Sequence, residues 1–97
     1  MAVTVILETK AKSGGGDELL GFFKSILADT RAYAGCISIE TLRNMESPDE
    51  VVLVERWESA NDHGKYMGWR TETGVVDKIV GMLSGPPLVR RFDEIGI

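Results

Sequence analysis

Residues 51–70, VVLVERWESANDHGKYMGWR, decide the fold of this 97-residue chain. The first four residues of this stretch are all apolar and three of them are β-branched, which predicts a strand over residues 51–57. Ser59 follows, with Asp62 three residues later, and this variant of the capping box predicts a helix from Ser59 to about Thr71. A strand that leads directly into a helix brings the aromatic and titratable residues of this stretch to the boundary between a sheet and a helix.

The segments on either side of this stretch predict the element order β-α-β-β-α-β. Further strands are predicted over residues 3–8, 36–43 and 88–93, and a further helical segment over residues 75–83, with a break near Gly74. A long helix is predicted between an N-cap at Asp17 and a stop at Gly35. Its apolar residues recur at spacings of three and four: Leu19, Leu20, Phe22, Phe23, Ile26 and Leu27. This order is typical of the α+β ferredoxin-like fold, an antiparallel sheet with helices on one face.

Two of the predicted strands, residues 3–8 and 51–57, carry apolar side chains on both faces. An antiparallel sheet that is covered by helices on one side should instead alternate between apolar and polar residues. The uncovered face would then be a large apolar patch unless something packs against it. The sequence therefore predicts a homodimer in which the two sheets pack face to face.

Composition and charge favour a cytoplasmic protein of one domain, residues 1–97. Eleven basic and fifteen acidic residues give a net charge of −4 without a basic cluster, which argues against a nucleic-acid partner. We expect no membrane partner, because no apolar run reaches the ~18 residues that a span requires. With one histidine and one cysteine, the sequence predicts no metal site and no internal disulfide. Cys36 is expected to be an inert thiol.

The helix predicted after Trp57 carries the candidate site residues. At about 100° per residue, His63, Tyr66 and Arg70 fall near one another on the helix surface. If Met67 and Ala60 mark the buried side, these three residues lie along its margin and give polar tips to an apolar cleft. In the alternative interpretation Trp57, Tyr66 and Met67 are core contacts, while His63 and Arg70 face water.

Several runs of residues together resemble the antibiotic biosynthesis monooxygenase domain, of the dimeric α+β barrel superfamily. The runs are Gly35–Glu40 (GCISIE) and Val52–Ser59 (VLVERWES), followed by a tyrosine and a Trp-Arg pair in the next helix. The resemblance implies a dimeric α+β barrel with a pocket between sheet and helices in each subunit. It also implies cofactor-free oxygenation of quinol-like or polycyclic aromatic compounds, in which the substrate itself supplies the electrons to O₂.

The resemblance also assigns roles to the candidate residues. Trp57 corresponds to the family tryptophan at the strand end, and His63 and Tyr66 become polar tips over the same cavity. The asparagine that the better-studied oxygenases place beside this tryptophan is absent here: position 53 is Leu53, and Asn44 and Asn61 lie elsewhere. Tyr66 and Met67 occupy the region where haem-degrading relatives carry a histidine, so the resemblance does not extend to haem degradation.

The leading hypothesis is therefore a monooxygenase that binds a small aromatic ligand and needs no bound cofactor. The expected catalytic residues are His63, as a proton acceptor with a pKa near neutrality, and Tyr66 and Arg70, as donors to a phenolate. The expected substrate-binding residues are Trp57, Met67 and Trp69. One alternative is a dimeric binding or stress-response module of the same fold without catalysis. Another is an isomerase or decarboxylase on the same scaffold.

Overall fold

A computed structural model describes residues 2–97 of the chain. Its elements are β1 (Val3–Lys10), α1 (Gly16–Ala32), β2 (Cys36–Arg43), β3 (Glu50–Trp57), α2 (Ala60–Glu72), α3 (Val75–Gly81) and β4 (Leu88–Asp93). This order confirms the predicted β-α-β-β-α-β arrangement. The predicted break in the second helical region is also confirmed, since Gly74 separates α2 from α3 with a left-handed φ of 82°.

The four strands form one antiparallel sheet in the order β2-β3-β1-β4. In the centre of the sheet Leu7 lies opposite Leu53 of β3 and Val89 of β4. Because β3 lies between β1 and β2, the sheet has the strand order of the ferredoxin-like fold, as the sequence predicts. Within residues 2–97, no helix is both long enough and apolar enough to cross a membrane.

The two faces of the sheet differ, because side chains alternate along each strand. On β3 the buried residues are Val51, Leu53, Glu55 and Trp57, whereas Val52 and Val54 between them are only half-buried. The buried set packs against the helices, where α1 contributes Leu19, Phe23 and Leu27 to the main core. The half-buried set lies on the opposite face, which no helix of the described chain covers.

The start of α1 differs from the prediction. Its N-cap is Gly15 rather than Asp17, and no side chain within the helix caps it. Instead, the Asp49 carboxylate accepts hydrogen bonds from the backbone N–H groups of Gly14 (3.0 Å) and Gly16 (2.9 Å), which lower the pKa of Asp49. Asp17 lies in the first turn and pairs with Arg43 at 2.9 Å. The cap therefore comes from the β2–β3 turn, a contact between distant residues that local spacing does not reveal.

The start of α2 agrees with the prediction and fixes how this helix meets the sheet. Ser59 Oγ accepts a hydrogen bond from the Asp62 N–H (3.1 Å) and donates one to Asp62 Oδ2 (2.9 Å). Gly35, at φ 91°, lies against the Asp62 side chain so closely that a Cβ at position 35 would collide with it. The turn before β2 thus holds the first turn of α2 in place.

Candidate active site

The buried face of α2 consists of the three polar residues of the predicted site. His63, Tyr66 and Arg70 are 3%, 7% and 5% exposed, whereas Met67 is half-buried and Ala60 is exposed. The expectation that Met67 and Ala60 mark the buried side is therefore wrong, and so is the alternative in which His63 and Arg70 face water. The reason for Arg70 and Tyr66 is that they hydrogen-bond to each other and to α1 inside the protein, which offsets part of the cost of burying them.

A hydrogen-bond network joins the buried face of α2 to α1. Arg70 Nε donates to the Tyr66 hydroxyl oxygen (2.9 Å), and Arg70 Nη2 donates to Thr30 Oγ1 (2.9 Å) and to the Ile26 carbonyl oxygen (2.8 Å). The hydroxyl groups of Tyr66 and Thr30 share a further bond of 2.6 Å. The network fixes the Arg70 guanidinium at the junction of the two helices.

The charge of Arg70 is not matched by a carboxylate. No acidic side chain of residues 2–97 forms a salt bridge with Arg70, although the group is almost fully buried. The Trp69 ring lies 4.3 Å from the guanidinium carbon, and such a cation–π contact offsets part of the lost hydration. Arg70 Nη1 donates no hydrogen bond within the described chain, so this end of the guanidinium has donors available for an anion.

A cavity of about 50 Å³ lies between the sheet and the three helices. Its apolar walls come from β1, β3, α1 and α3, and its polar groups are Glu55, Tyr66 and Arg70. The full set of lining residues is Leu7, Phe23, Ile26, Leu27, Leu53, Glu55, Tyr66, Met67, Arg70, Val75, Val76 and Ile79. Of the predicted site residues, the structure thus brings Tyr66, Met67 and Arg70 together, whereas Trp57, His63 and Trp69 do not line this cavity.

Glu55 is the site residue that the sequence analysis missed. Its side chain points to the helix-facing side of β3, is 5% exposed, and accepts a 2.9 Å hydrogen bond on Oε1 from Trp57 Nε1. Burial raises the pKa of Glu55, and the bond from Trp57 opposes part of this rise. The alternation of β3 carries the signal, since Glu55 lies on the same face of the strand as Leu53 and Trp57.

Trp57 is part of the core. Its side chain is fully buried at 0% exposure, and its ring lies 5.0 Å from the Tyr66 ring and 5.5 Å from the His63 ring, measured between centroids. Only its indole N–H makes a polar contact, the bond to Glu55. Trp57 therefore packs the protein and at the same time orients a carboxylate at the cavity.

His63 packs against Trp57 and has no hydrogen bond on Nδ1 in the described structure. Burial, with a smaller contribution from the positive charge of Arg91, lowers the pKa of His63 to about 4. The expectation of a histidine pKa near neutrality is therefore wrong. At pH 7 the imidazole is neutral and a weak base, and it is buried among core residues rather than at the cavity.

Trp69 and Tyr33 cover the network on its outer side. Their rings stack with centroids 5.3 Å apart and an interplanar angle of 22°. Both are half-buried, and the Arg70 guanidinium lies over the Trp69 ring. Tyr33, which the sequence analysis did not select, belongs to this cover together with Trp69.

The remaining reactive groups of residues 2–97 show no further centre. Burial raises the pKa of the Cys36 thiol, and the negative charge of Glu55 adds to the rise, so the thiol is held protonated. Within the part of the chain that the structure describes, no three His, Cys, Asp or Glu side chains are placed to hold a metal ion.

Comparison with known proteins agrees with this architecture. The family model described as antibiotic biosynthesis monooxygenase matches residues 2–70. Among solved structures, a conserved protein from Methanosarcina mazei Go1 superposes with a TM-score of 0.87 at 16% identity, over 97% of this chain and 93% of that one. A protein from Mycobacterium tuberculosis has the same TM-score at 21% identity, over 100% and 98% of the two chains.

A structure described as an antibiotic biosynthesis monooxygenase superposes with a TM-score of 0.85 at 18% identity, over 96% of this chain and 98% of that one. These structures share the fold with this chain. No curated protein matches the sequence at a significant level.

Proposed function

The chain belongs to the antibiotic biosynthesis monooxygenase family, and on this basis we propose that it oxygenates a small aromatic compound of the quinol or anthrone type with O₂. In this proposal the whole chain of 97 residues is one domain of the family, and no bound cofactor takes part. The observation that carries the proposal is Arg70, a buried guanidinium without a carboxylate partner at the wall of an apolar cavity. Such a group favours an anion, and the anion of a quinol is the form that reacts with O₂.

In the proposed reaction the substrate alone supplies the electrons that reduce O₂. The CH₂ group of the substrate, or of its keto tautomer, becomes C=O, a four-electron oxidation that reduces O₂ completely. One oxygen atom enters the new carbonyl group and the other leaves as water with the two hydrogens of the CH₂ group. The protein has to promote loss of the first proton, stabilise the resulting anion, and keep bulk water away from the intermediates.

Two of the polar groups at the cavity, Arg70 and Tyr66, have parts in this chemistry. Arg70 stabilises the substrate anion with the positive charge of its guanidinium. Tyr66 positions Arg70, because its hydroxyl oxygen already accepts the bond from Nε and is shared with Thr30. Met67 and the neighbouring aliphatic side chains form an apolar wall for the ring.

In this proposal the cavity widens when a substrate binds, and α3 is the wall that moves. Benzene occupies an engineered apolar cavity of about 150 Å³, and the cavity here is about 50 Å³. A second cavity of about 60 Å³ lies next to it, and the two share the walls formed by Leu7, Met67, Val76 and Ile79. Because α3 supplies Val76 and Ile79 and has no fully buried residue, an outward shift of α3 joins the two spaces.

The proposal includes a homodimer that covers the open face of the sheet. The register places one apolar group on this face: Ile6, Leu42, Val52, Val54, Leu88 and Phe92. The same face carries the ion pairs Arg56–Glu94 and Arg90–Glu8, and Arg90 lies between Leu88 and Phe92 on β4. Burying such a patch against a second copy removes apolar surface from water without leaving these charges unpaired. Sedimentation at micromolar concentration should give twice the 10.6 kDa mass, and a stable monomer would contradict the dimer.

Oxygen uptake tests the proposed activity. Protein freed of metal and flavin should consume O₂ with a dihydroxynaphthalene or an anthrone faster than these compounds autoxidise. Arg70→Met keeps the length of the side chain and removes its charge, and should lower kcat/KM about tenfold or more, about 1.4 kcal/mol for each factor of ten. Lys65→Met is the matched control, since Lys65 is an exposed cation on the same helix.

The outcomes separate this proposal from its competitor. Uptake at the autoxidation rate, or only after addition of flavin, would overturn the cofactor-free oxygenase. Ligand binding without uptake would instead support the binding module of the same fold.

A further inference from the structure

We propose that Glu55 accepts the proton of the substrate and that Trp57 positions Glu55 for this step. The inference rests on the proposed function for its substrate, a phenol or carbon acid in the cavity. It assigns to a carboxylate the role that the sequence analysis gave to His63, and it gives Trp57 a task other than stacking on the substrate.

The geometry leaves one carboxylate oxygen free for the proton. Trp57 Nε1 donates a hydrogen bond to Glu55 Oε1, whereas Oε2 accepts no hydrogen bond from any described residue. Glu55 lines the same cavity as Arg70. A substrate bound there is therefore in contact with a proton acceptor and with a fixed positive charge, the two groups that ionisation of a phenol requires.

The environment of Glu55 suits a general base. Burial raises the pKa of its carboxyl group, so its carboxylate is a stronger base than an exposed glutamate. The indole N–H bonds to the charged form and so keeps the carboxylate ionised to lower pH than burial alone would allow. Trp57 thus sets both the direction and the base strength of the acceptor.

No other group at the cavity serves as the acceptor. Tyr66 and Arg70 act as hydrogen-bond donors or are already shared within the network. His63 does not line the cavity, packs on the Trp57 ring, and has a pKa of about 4, so it is both out of reach and too weakly basic.

The proton transfer conserves charge within the cavity. The substrate O–H or C–H bond breaks, a new O–H bond forms at Glu55 Oε2, and the negative charge moves from Glu55 to the substrate anion near Arg70. The anion gives one electron to O₂, and the resulting radical and superoxide combine to form a C–O–O bond. Glu55 then returns its proton to the peroxide. The remaining C–H proton on that carbon then leaves, its electron pair forms the C=O bond as the O–O bond breaks, and the proton and the released hydroxide form water.

The first experiment compares the pH dependence of O₂ uptake in matched variants, with 1,4-dihydroxynaphthalene as substrate. Glu55→Gln keeps the shape and the bond from Trp57 but cannot take a proton, and should lower kcat by about 10²–10⁴. Glu58→Gln makes the same change at an exposed glutamate three residues away and should leave kcat within about twofold. Equal rates in the two variants would overturn the assignment.

The second part tests Trp57 without removing its bulk. Replacing Trp57 by 3-benzothienylalanine exchanges the indole N–H for sulfur in a ring of nearly the same shape, so the core stays filled. The acidic limb of the pH–rate profile should then move to higher pH, because the carboxylate loses its hydrogen bond, while kcat on the plateau is retained. An unchanged acidic limb would show that Trp57 does not act through Glu55.

An infrared difference spectrum without O₂ separates this inference from the proposed function. Binding of 1,4-dihydroxynaphthalene to the anaerobic wild type should produce the band of a protonated carboxyl group, which Glu55→Gln should lack. A spectrum without this band would overturn the inference, whatever the oxygen electrode shows. If the band forms and no O₂ is consumed, Glu55 remains the acceptor and the oxygenase proposal fails instead.

Discussion

Glu55 and His63 are two buried titratable residues that both contact Trp57, yet they lie in different surroundings. Glu55 lines the cavity and has one carboxylate oxygen without a partner, whereas His63 lies in the packed core and has an unpaired Nδ1. Burial shifts both pKa values toward the neutral form, upward for the carboxyl group and downward for the imidazole.

The difference teaches that burial alone does not distinguish a site from a core. A proton acceptor has to meet its substrate, so it must border space that a ligand can occupy. Glu55 meets that condition and His63 does not. Four variants, Trp57→Ala, Met67→Ala, His63→Phe and Glu55→Gln, test whether core residues and cavity residues behave as differently as their surroundings imply.

The largest expected effect is the loss of stability when the buried Trp57 side chain is removed. Trp57→Ala should lower the free energy of unfolding by about 3–5 kcal/mol, because it empties a fully buried volume. Met67→Ala should cost less than about 2 kcal/mol, since Met67 is half-buried and already borders two cavities. Urea unfolding at pH 7 measures both, and equal losses would mean that the two sides of the site are packed alike.

A smaller effect is expected at His63, and it depends on pH. The folded-state pKa of about 4 lies below the unfolded value of 6.5, so the unfolded chain binds the extra proton between these values. The wild type should therefore lose about 2–3 kcal/mol as pH falls from about 6.5 to 4. His63→Phe should escape this loss and become the more stable protein at pH 4. A constant difference between the two proteins from pH 7 to pH 4 would place His63 in a hydrated site.

Glu55 should show the opposite trend, with a smaller amplitude because the Trp57 bond offsets part of the burial. Its folded-state pKa is raised above 4.5, so the folded protein binds more protons and loses stability as pH rises through that pKa. Glu55→Gln should be more stable than the wild type at pH 8, and the gain should vanish below pH 4.5. Denaturation curves at pH 4, 6 and 8 give the comparison. A variant less stable than the wild type at pH 8 would show that the buried charge contributes to the fold.

Most of the fold was predictable from local patterns. The apolar strands, the Ser59 cap and the break at Gly74 each depend on residues close together in sequence. The cap of α1 was not predictable in this way, because Asp49 reaches Gly14 and Gly16 from another turn. The burial of Arg70 on α2 was not predictable from local patterns either, because its hydrogen-bond partners lie on α1.

The site was predictable only in part. Helical spacing correctly grouped Tyr66 with Arg70 and placed Met67 beside them, and all three line the cavity. The spacing cannot show how the helix is rotated against the sheet, which puts His63 in the core. Glu55 could have been found from strand alternation, but its value as a base depends on the cavity and on the Trp57 bond, which exist only in the folded chain.

Proton release on binding of 4-nitrophenol tests most directly whether Glu55 is the acceptor. The probe is a phenol with a coloured anion, and titration calorimetry in buffers of different ionisation enthalpy counts the protons released. The pH is chosen below the pKa of free 4-nitrophenol and at a value where Glu55 is charged. The wild type should then bind the coloured phenolate and release no proton, because Glu55 keeps the proton of the phenol. Glu55→Gln should bind the same anion and release about one proton, and His63→Phe should match the wild type. Release of a proton by the wild type as the phenolate forms would contradict the assignment of Glu55 as the acceptor.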